Sequence, residues 1–153
     1  MKARSAKATV QARVNVCIET ADARTGRVLS RSWRHNLVVD AGLDLVRDLV
    51  YGDVGTVTHG AVGTAVTAPA AGDVALGAEV FRDLISQRTK QSAGLLIKFV
   101  VGSQSGNGET FREAGLFTAA TGGTMYARVV AEEVAKTDAI LVIYTWTLSF
   151  GAA

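Results

Sequence analysis

The residues of this sequence whose chemistry could serve catalysis are two histidines, a single cysteine and three regularly spaced aspartates. His35 and His59 have no cysteine or carboxylate at the spacing of zinc ligands, and neither lies in a sequence typical of a catalytic triad. Asp40, Asp44 and Asp48 recur every four residues, which favours a helix cap and a solvated helix face over a catalytic pair. We therefore predict no catalytic, metal-binding or cofactor-binding residues and no cofactor, and we expect that the protein is not an enzyme.

Motifs and composition limit the kinds of ligand and partner that the protein is expected to bind. Gly60 and Gly63 precede neither a lysine nor a helix, so they do not make a phosphate-binding loop. The single cysteine, Cys17, allows no internal disulfide and is expected to be a core or interface residue in a protein folded in a reducing cytosol. The formal charge of +2 is too small to indicate nucleic acid, and no apolar run reaches the length of a membrane span. We expect neither nucleic acid nor membrane as a partner.

The element that would organise such a chain is a long strand over residues 137–150. Alternate positions there are large and apolar, which is the period of a strand with one buried face: Ile140, Val142, Tyr144, Trp146, Leu148 and Phe150. The same alternation predicts a strand over residues 10–18. Segments between glycine-rich turns predict further strands over residues 27–39, 56–64, 94–101 and 124–130, with a short element over residues 111–118. Residues 79–90 fit a strand or a helix, and we favour a strand.

One segment has a helical period. Apolar residues recur at helical spacing over residues 40–51, with Asp40 placed to cap the helix and Gly52 to end it. Residues 65–77 are small and nearly uncharged and are expected to form a surface loop. The sequence thus predicts a mainly β fold of seven or eight strands with one helix near residues 40–51. The expected architecture is an antiparallel β-sandwich or a β-barrel-like fold, jelly-roll or tulip-like.

The organisation predicted is a single β-rich domain over residues 9–153, preceded by an N-terminal arm over residues 1–8. The arm carries Lys2, Arg4 and Lys7 among small residues and has no acid. It is either a frayed terminus or a partner-contact arm that orders against another chain. Arg27, Arg31 and Arg34 likewise could contact acidic groups of a partner or form a solvated strand face.

Several short motifs occur in a set order along residues 34–150. They are RHNLVVDAGLDLVRDL at 34–49, HGAVGT at 59–64, APAAGDVAL at 68–76 with Glu79, FREAGLF at 111–117, TMYAR at 124–128, KT at 136–137 and YTWTL at 144–148. This order resembles that of small virion proteins and tail-fibre modules of tailed bacteriophages. Ala65 departs from the pattern, which has a glycine there.

The resemblance implies a structural protein of a virion assembled in the host cytoplasm. A capsid decoration (cement) protein would bind the major capsid protein as a symmetric oligomer, and the short chain and N-terminal arm fit that role. A tail or tail-fibre component would instead contact other tail proteins and could contribute to host-receptor binding. We favour decoration because the chain has no repeats and no stalk. The mean hydropathy of +0.24 is high for a small monomer, so we expect self-association, as a trimer.

Overall fold

The structure is a computed structural model that describes residues 10–51, 55–92 and 94–152. The bounds of the elements in this part of the chain are β1 Val10–Asp22, β2 Val28–Val38, α1 Asp40–Tyr51, β3 His59–Gly63, β4 Glu79–Leu84, β5 Gln87–Gln91, β6 Gly94–Val101, β7 Thr110–Phe117, β8 Met125–Ala135 and β9 Ile140–Ala152. The mainly β fold with one helix near residues 40–51 is confirmed.

The nine strands form one antiparallel sheet in the order β4-β3-β7-β8-β2-β1-β9-β6-β5. The sheet is curled into a half-barrel, consistent with the barrel-like or sandwich-like fold expected from the sequence. It has two halves that meet at β2 and β8, where only Leu37 and Val38 pair with Arg128 and Ala127. We call β2, β1, β9, β6 and β5 the first half, and β8, β7, β3 and β4 the second half.

The organising strand lies where the sequence places it. β9 pairs along its whole length with β1 and over eight residues with β6, so it lies in the middle of the first half. Val142, Tyr144, Trp146 and Leu148 are buried, whereas Phe150 is more than a third exposed. The rings of Tyr144 and Trp146 stack with their centroids 5.7 Å apart. The alternating face of β9 therefore forms the centre of the core.

The core lies between the two halves of the curled sheet. The first half contributes Val14, Val16, Ile18 and Phe99, besides the β9 residues, and the second half contributes Val62, Ala114, Leu116 and Val129. A side chain at Gly60 would overlap the ring of Phe99, so a glycine at this position allows β3 to pack closely against the core. Apolar burial between the two halves is thus the main stabilising contribution to the fold.

The structure differs from the sequence-based expectations in two elements. Residues 79–90 are not one strand but two, β4 and β5, which lie on opposite edges of the sheet, and this raises the strand count from seven or eight to nine. Between them the Ile85 amide donates to the Thr58 carbonyl beside β3, and the Ser86 amide donates to the Lys98 carbonyl of β6. The chain therefore crosses from one edge of the curled sheet to the other within two residues.

The start of the helix also differs in detail. The Val39 carbonyl accepts hydrogen bonds from the Gly42 and Leu43 amides, so Val39 occupies the cap position and Asp40 is the first helical residue. A carboxylate in the first turn still interacts favourably with the helix dipole. Gly52, and the arm over residues 1–8 with Lys2, Arg4 and Lys7, lie outside the described residues.

Candidate interaction surface

A buried ion pair joins two adjacent strands of the second half, β7 and β8. Glu113 of β7 and Arg128 of β8 are at most 3% exposed, and Arg128 donates from Nε and Nη2 to Glu113 Oε2 at 2.9 and 2.8 Å. The remaining capacity of the carboxylate is filled by backbone amides. Glu113 Oε1 accepts from Ala78 at 2.7 Å, and Oε2 accepts from Gly77 at 3.0 Å. The carboxylate is therefore fully hydrogen-bonded, as a buried charge must be.

The same arginine holds residues 64–78, which we call the anchored loop. Arg128 donates to the Thr67 carbonyl at 3.0 Å and to Asp73 Oδ2 at 2.8 Å. The Ala70 amide, foremost, and Arg128 hold the pKa of Asp73 below its usual range. The loop predicted over residues 65–77 is therefore tied to the sheet by charged hydrogen bonds along its length.

Packing supports these hydrogen bonds. Leu76 is buried in a small apolar cluster with Val39, Ala61, Phe117 and Met125 on the outer side of the second half. A side chain at Gly63 would collide with Glu113, so the close approach of β3 to the carboxylate requires glycine. The anchored loop thus covers this side of the sheet and leaves Val66 and Val74 exposed.

The outer side of the first half carries a different surface, which we call the Trp33 face: Asn15, Leu29, Arg31, Trp33 and His35. Trp33 is 59% exposed and Leu29 is 48% exposed. His35 Nδ1 lies 2.8 Å from Asn15 Oδ1, and Arg31 donates to Glu19 at 2.8 Å. Aromatic and arginine side chains of this kind are enriched at the energetic centres of protein interfaces.

Cys17 lies on β1 opposite Trp33 and is buried. Burial, and secondarily the charge of Glu19, raises the pKa of its thiol. The thiol is therefore protonated at neutral pH, and it behaves as a small apolar residue under the Trp33 face, in agreement with the role expected for it.

The histidines lie in different surroundings. His35 belongs to β2, whereas His59 begins β3 in the other half and its Nδ1 lies 2.8 Å from the hydroxyl of Thr58. In the part of the chain that the structure describes, no group of three histidine, cysteine, aspartate or glutamate side chains is placed to hold a metal ion.

The three arginines considered from the sequence have different roles. Arg31 pairs with Glu19 on the Trp33 face. Arg34 pairs with Glu132 of β8 and so bridges the seam between the two halves. Arg27 follows the turn that Asp22 closes by accepting hydrogen bonds from the Arg24 and Thr25 amides, and these bonds, with that of the Thr25 hydroxyl first, lower the pKa of Asp22. Arg31 and Arg34 are therefore solvated side chains that have partners within the same chain.

Sequence reasoning missed the cluster of Glu113, Arg128 and Asp73. The available signal was a carboxylate within the otherwise apolar strand FREAGLF and a cation within TMYARVV. Either residue alone would be expected at a surface, and burial follows only once the anchored loop covers both.

The only helix within the described residues, α1, does not have the length and apolar character of a membrane span. Comparison of the chain with models of known families found no match. Comparisons with curated proteins and with solved structures likewise found none.

Proposed function

We propose that the protein is a structural component of a tailed-bacteriophage virion, a capsid decoration protein that attaches to the major capsid protein as a trimer. The observation that carries the proposal is the meeting of three motifs of the resemblance. Asp73 belongs to APAAGDVAL, Glu113 to FREAGLF and Arg128 to TMYAR, and the Arg128 guanidinium pairs with both carboxylates. Motifs that lie far apart in the sequence therefore form one structural unit in the fold. This supports the resemblance on which the proposal rests.

The Trp33 face supports a role in assembly. Trp33 and Leu29 expose apolar surface on a sheet, and the anchored loop covers the other half but not this one. Burying such a surface against a second protein would contribute favourable free energy, with the exposed aromatic as its centre. A scaffold with a rigid loop on one side and an open face on the other suits a protein that acts by binding.

The test of location is the number of copies in purified virions. We expect the protein to be present in proportion to the major capsid protein and to be removed with the shell when tails are separated from heads. A copy number in proportion to tail proteins, with recovery in the tail fraction, would replace decoration by the tail or tail-fibre role. Absence from purified virions would contradict both.

The test of the surface uses a matched pair of leucines. Leu29→Ala truncates an exposed leucine on the Trp33 face, and Leu84→Ala truncates an exposed leucine on the edge strand β4. We expect Leu29→Ala, but not Leu84→Ala, to weaken attachment to undecorated capsid shells in co-sedimentation, with both variants keeping the wild-type thermal midpoint. Equal attachment by the two variants would show that the Trp33 face is not the contact.

A further inference from the structure

An apolar cavity of about 200 Å³, open to solvent on one side, lies between α1 and the inner side of the sheet. The helix contributes Leu45, Val46 and Leu49 to its wall, and strands β6 and β9 contribute Leu95, Ile97 and Leu148. The volume is somewhat larger than the roughly 150 Å³ of an engineered apolar cavity that binds benzene. One ring or a short alkyl chain would fit.

A single cationic side chain, Arg88 of β5, also lines this cavity. Arg88 lies opposite Ile97 in the strand pair, so it is on the core side of the edge strand. Within residues 10–51, 55–92 and 94–152 its guanidinium has no hydrogen-bond or ion-pair partner. Arg88 is solvent-exposed, so it lies at the mouth of the cavity, where its charge can pair with an anion at the modest strength of an exposed ion pair.

A simpler role for Arg88 is to protect the edge of the sheet. Inward-facing charges on edge strands discourage pairing with other chains. Lys90 serves that role too, since it lies opposite Leu95 on the same side of β5, yet it does not line the cavity. Edge protection therefore does not explain why the unpaired guanidinium lies at an apolar cavity, and Lys90 provides the matched control.

We propose that the cavity binds a small monocarboxylic acid whose apolar part fills the space between α1 and the sheet and whose carboxylate pairs with Arg88. The chemical class is a short straight-chain fatty acid, no longer than octanoate. This binding is independent of the proposed virion role, and either could fail without the other.

The experiment is calorimetric titration of the full chain, at low salt, with butanoate, hexanoate, octanoate and 1-octanol. We expect affinity to rise by roughly fourfold for each added methylene until the cavity is full. Octanoate should bind more tightly than 1-octanol. Arg88→Gln should lower the affinity for octanoate by up to about fivefold and remove the preference for the acid, whereas Lys90→Gln should keep that preference.

A second variant tests the location. Val57→Phe enlarges a side chain of the cavity wall and should abolish octanoate binding while leaving the circular dichroism spectrum unchanged. If this variant does not fold, Leu45→Phe fills the space from the helix side. The proposal is overturned by no saturable binding of any acid, by equal affinity for octanoate and 1-octanol, or by wild-type affinity in the folded cavity-filling variant. It is also overturned if octanoate lowers the light-scattering mass, because the cavity would then be a contact between copies.

Discussion

At the scale of single residues, Glu113 and Arg128 are unusual because they are charged and almost fully buried in the centre of an apolar sheet. Desolvation of two charges offsets much of their mutual attraction, so the pair itself contributes little net stability. Its effect is to fix the position of the anchored loop, because the hydrogen bonds that Glu113 accepts from the loop amides and those that Arg128 donates to the loop would be lost if the loop moved. The pair therefore specifies a conformation.

Glu113→Gln tests this directly. The substitution keeps the size of the side chain but leaves the Arg128 charge buried without its main counter-ion, and we expect the free energy of unfolding to fall by about 3 to 5 kcal/mol. Glu132→Gln breaks the exposed pair with Arg34 and should cost at most about 1 kcal/mol. Urea unfolding of both variants measures the difference. Equal losses would mean that burial of the Glu113 pair has no energetic consequence.

Asp73 gives the anchored loop a pH dependence. Its folded pKa is lowered by the Ala70 amide and by Arg128, so its contribution is complete above the unfolded value of about 3.9 and is lost as the pH falls through the folded pKa. Wild type should therefore be more stable than Asp73→Asn at pH 7, and the difference should shrink below about pH 4. Urea midpoints across this pH range provide the measurement. A constant difference would show that the carboxylate charge is not responsible.

At the scale of elements, alternation of apolar residues was sufficient to predict β9, because its buried residues Val142, Tyr144, Trp146 and Leu148 follow a period of two. In β8, by contrast, five consecutive residues are buried. Alternation could not predict the break between β4 and β5. The break is made by the hydrogen bonds of the Ile85 and Ser86 amides to Thr58 and Lys98, which are remote in sequence. The candidate site was less predictable still, since Glu113 and Arg128 look like surface residues until the anchored loop is in place. The α1 cavity is formed by the helix and several strands and has no local signature.

The two tryptophans provide a matched test of which faces are buried. Trp146 in β9 is fully buried, whereas Trp33 in β2 is mostly exposed. Trp146→Ala should cost about 3 to 5 kcal/mol of unfolding free energy because it removes a large core side chain, and Trp33→Ala should stay within about 0.5 kcal/mol of wild type. Chemical denaturation followed by circular dichroism measures both. Similar values for the two variants would contradict the assignment of the core.

At the scale of the whole molecule, folding energy and binding capacity lie in different places. The core between the two halves holds the curled sheet together, whereas Trp33 and Leu29 lie outside it. Changes on the Trp33 face should therefore alter self-association and attachment without altering stability. This separation allows the proposed assembly role to be tested with folded variants.

The N-terminal arm over residues 1–8 offers the sharpest test of that role. Apolar alternation starts at β1, whose first residue, Val10, pairs with Ala152, so deletion of residues 2–7 should leave the thermal midpoint nearly unchanged. Attachment to undecorated capsid shells should weaken, because Lys2, Arg4 and Lys7 would contribute charge interactions that salt screens and the backbone could pair with a neighbouring strand. Co-sedimentation across a salt series measures both contributions.

A full-length control separates charge from chain length. The triple variant Lys2→Gln, Arg4→Gln and Lys7→Gln keeps the backbone of the arm and should lose only the salt-sensitive part of attachment, whereas the deletion should lose both parts. Wild-type occupancy by the deletion variant at every salt concentration would show that the arm is a frayed terminus. If the wild-type protein attached to tails instead of shells, the arm would contact a tail protein, and the proposed function would become that of a tail component.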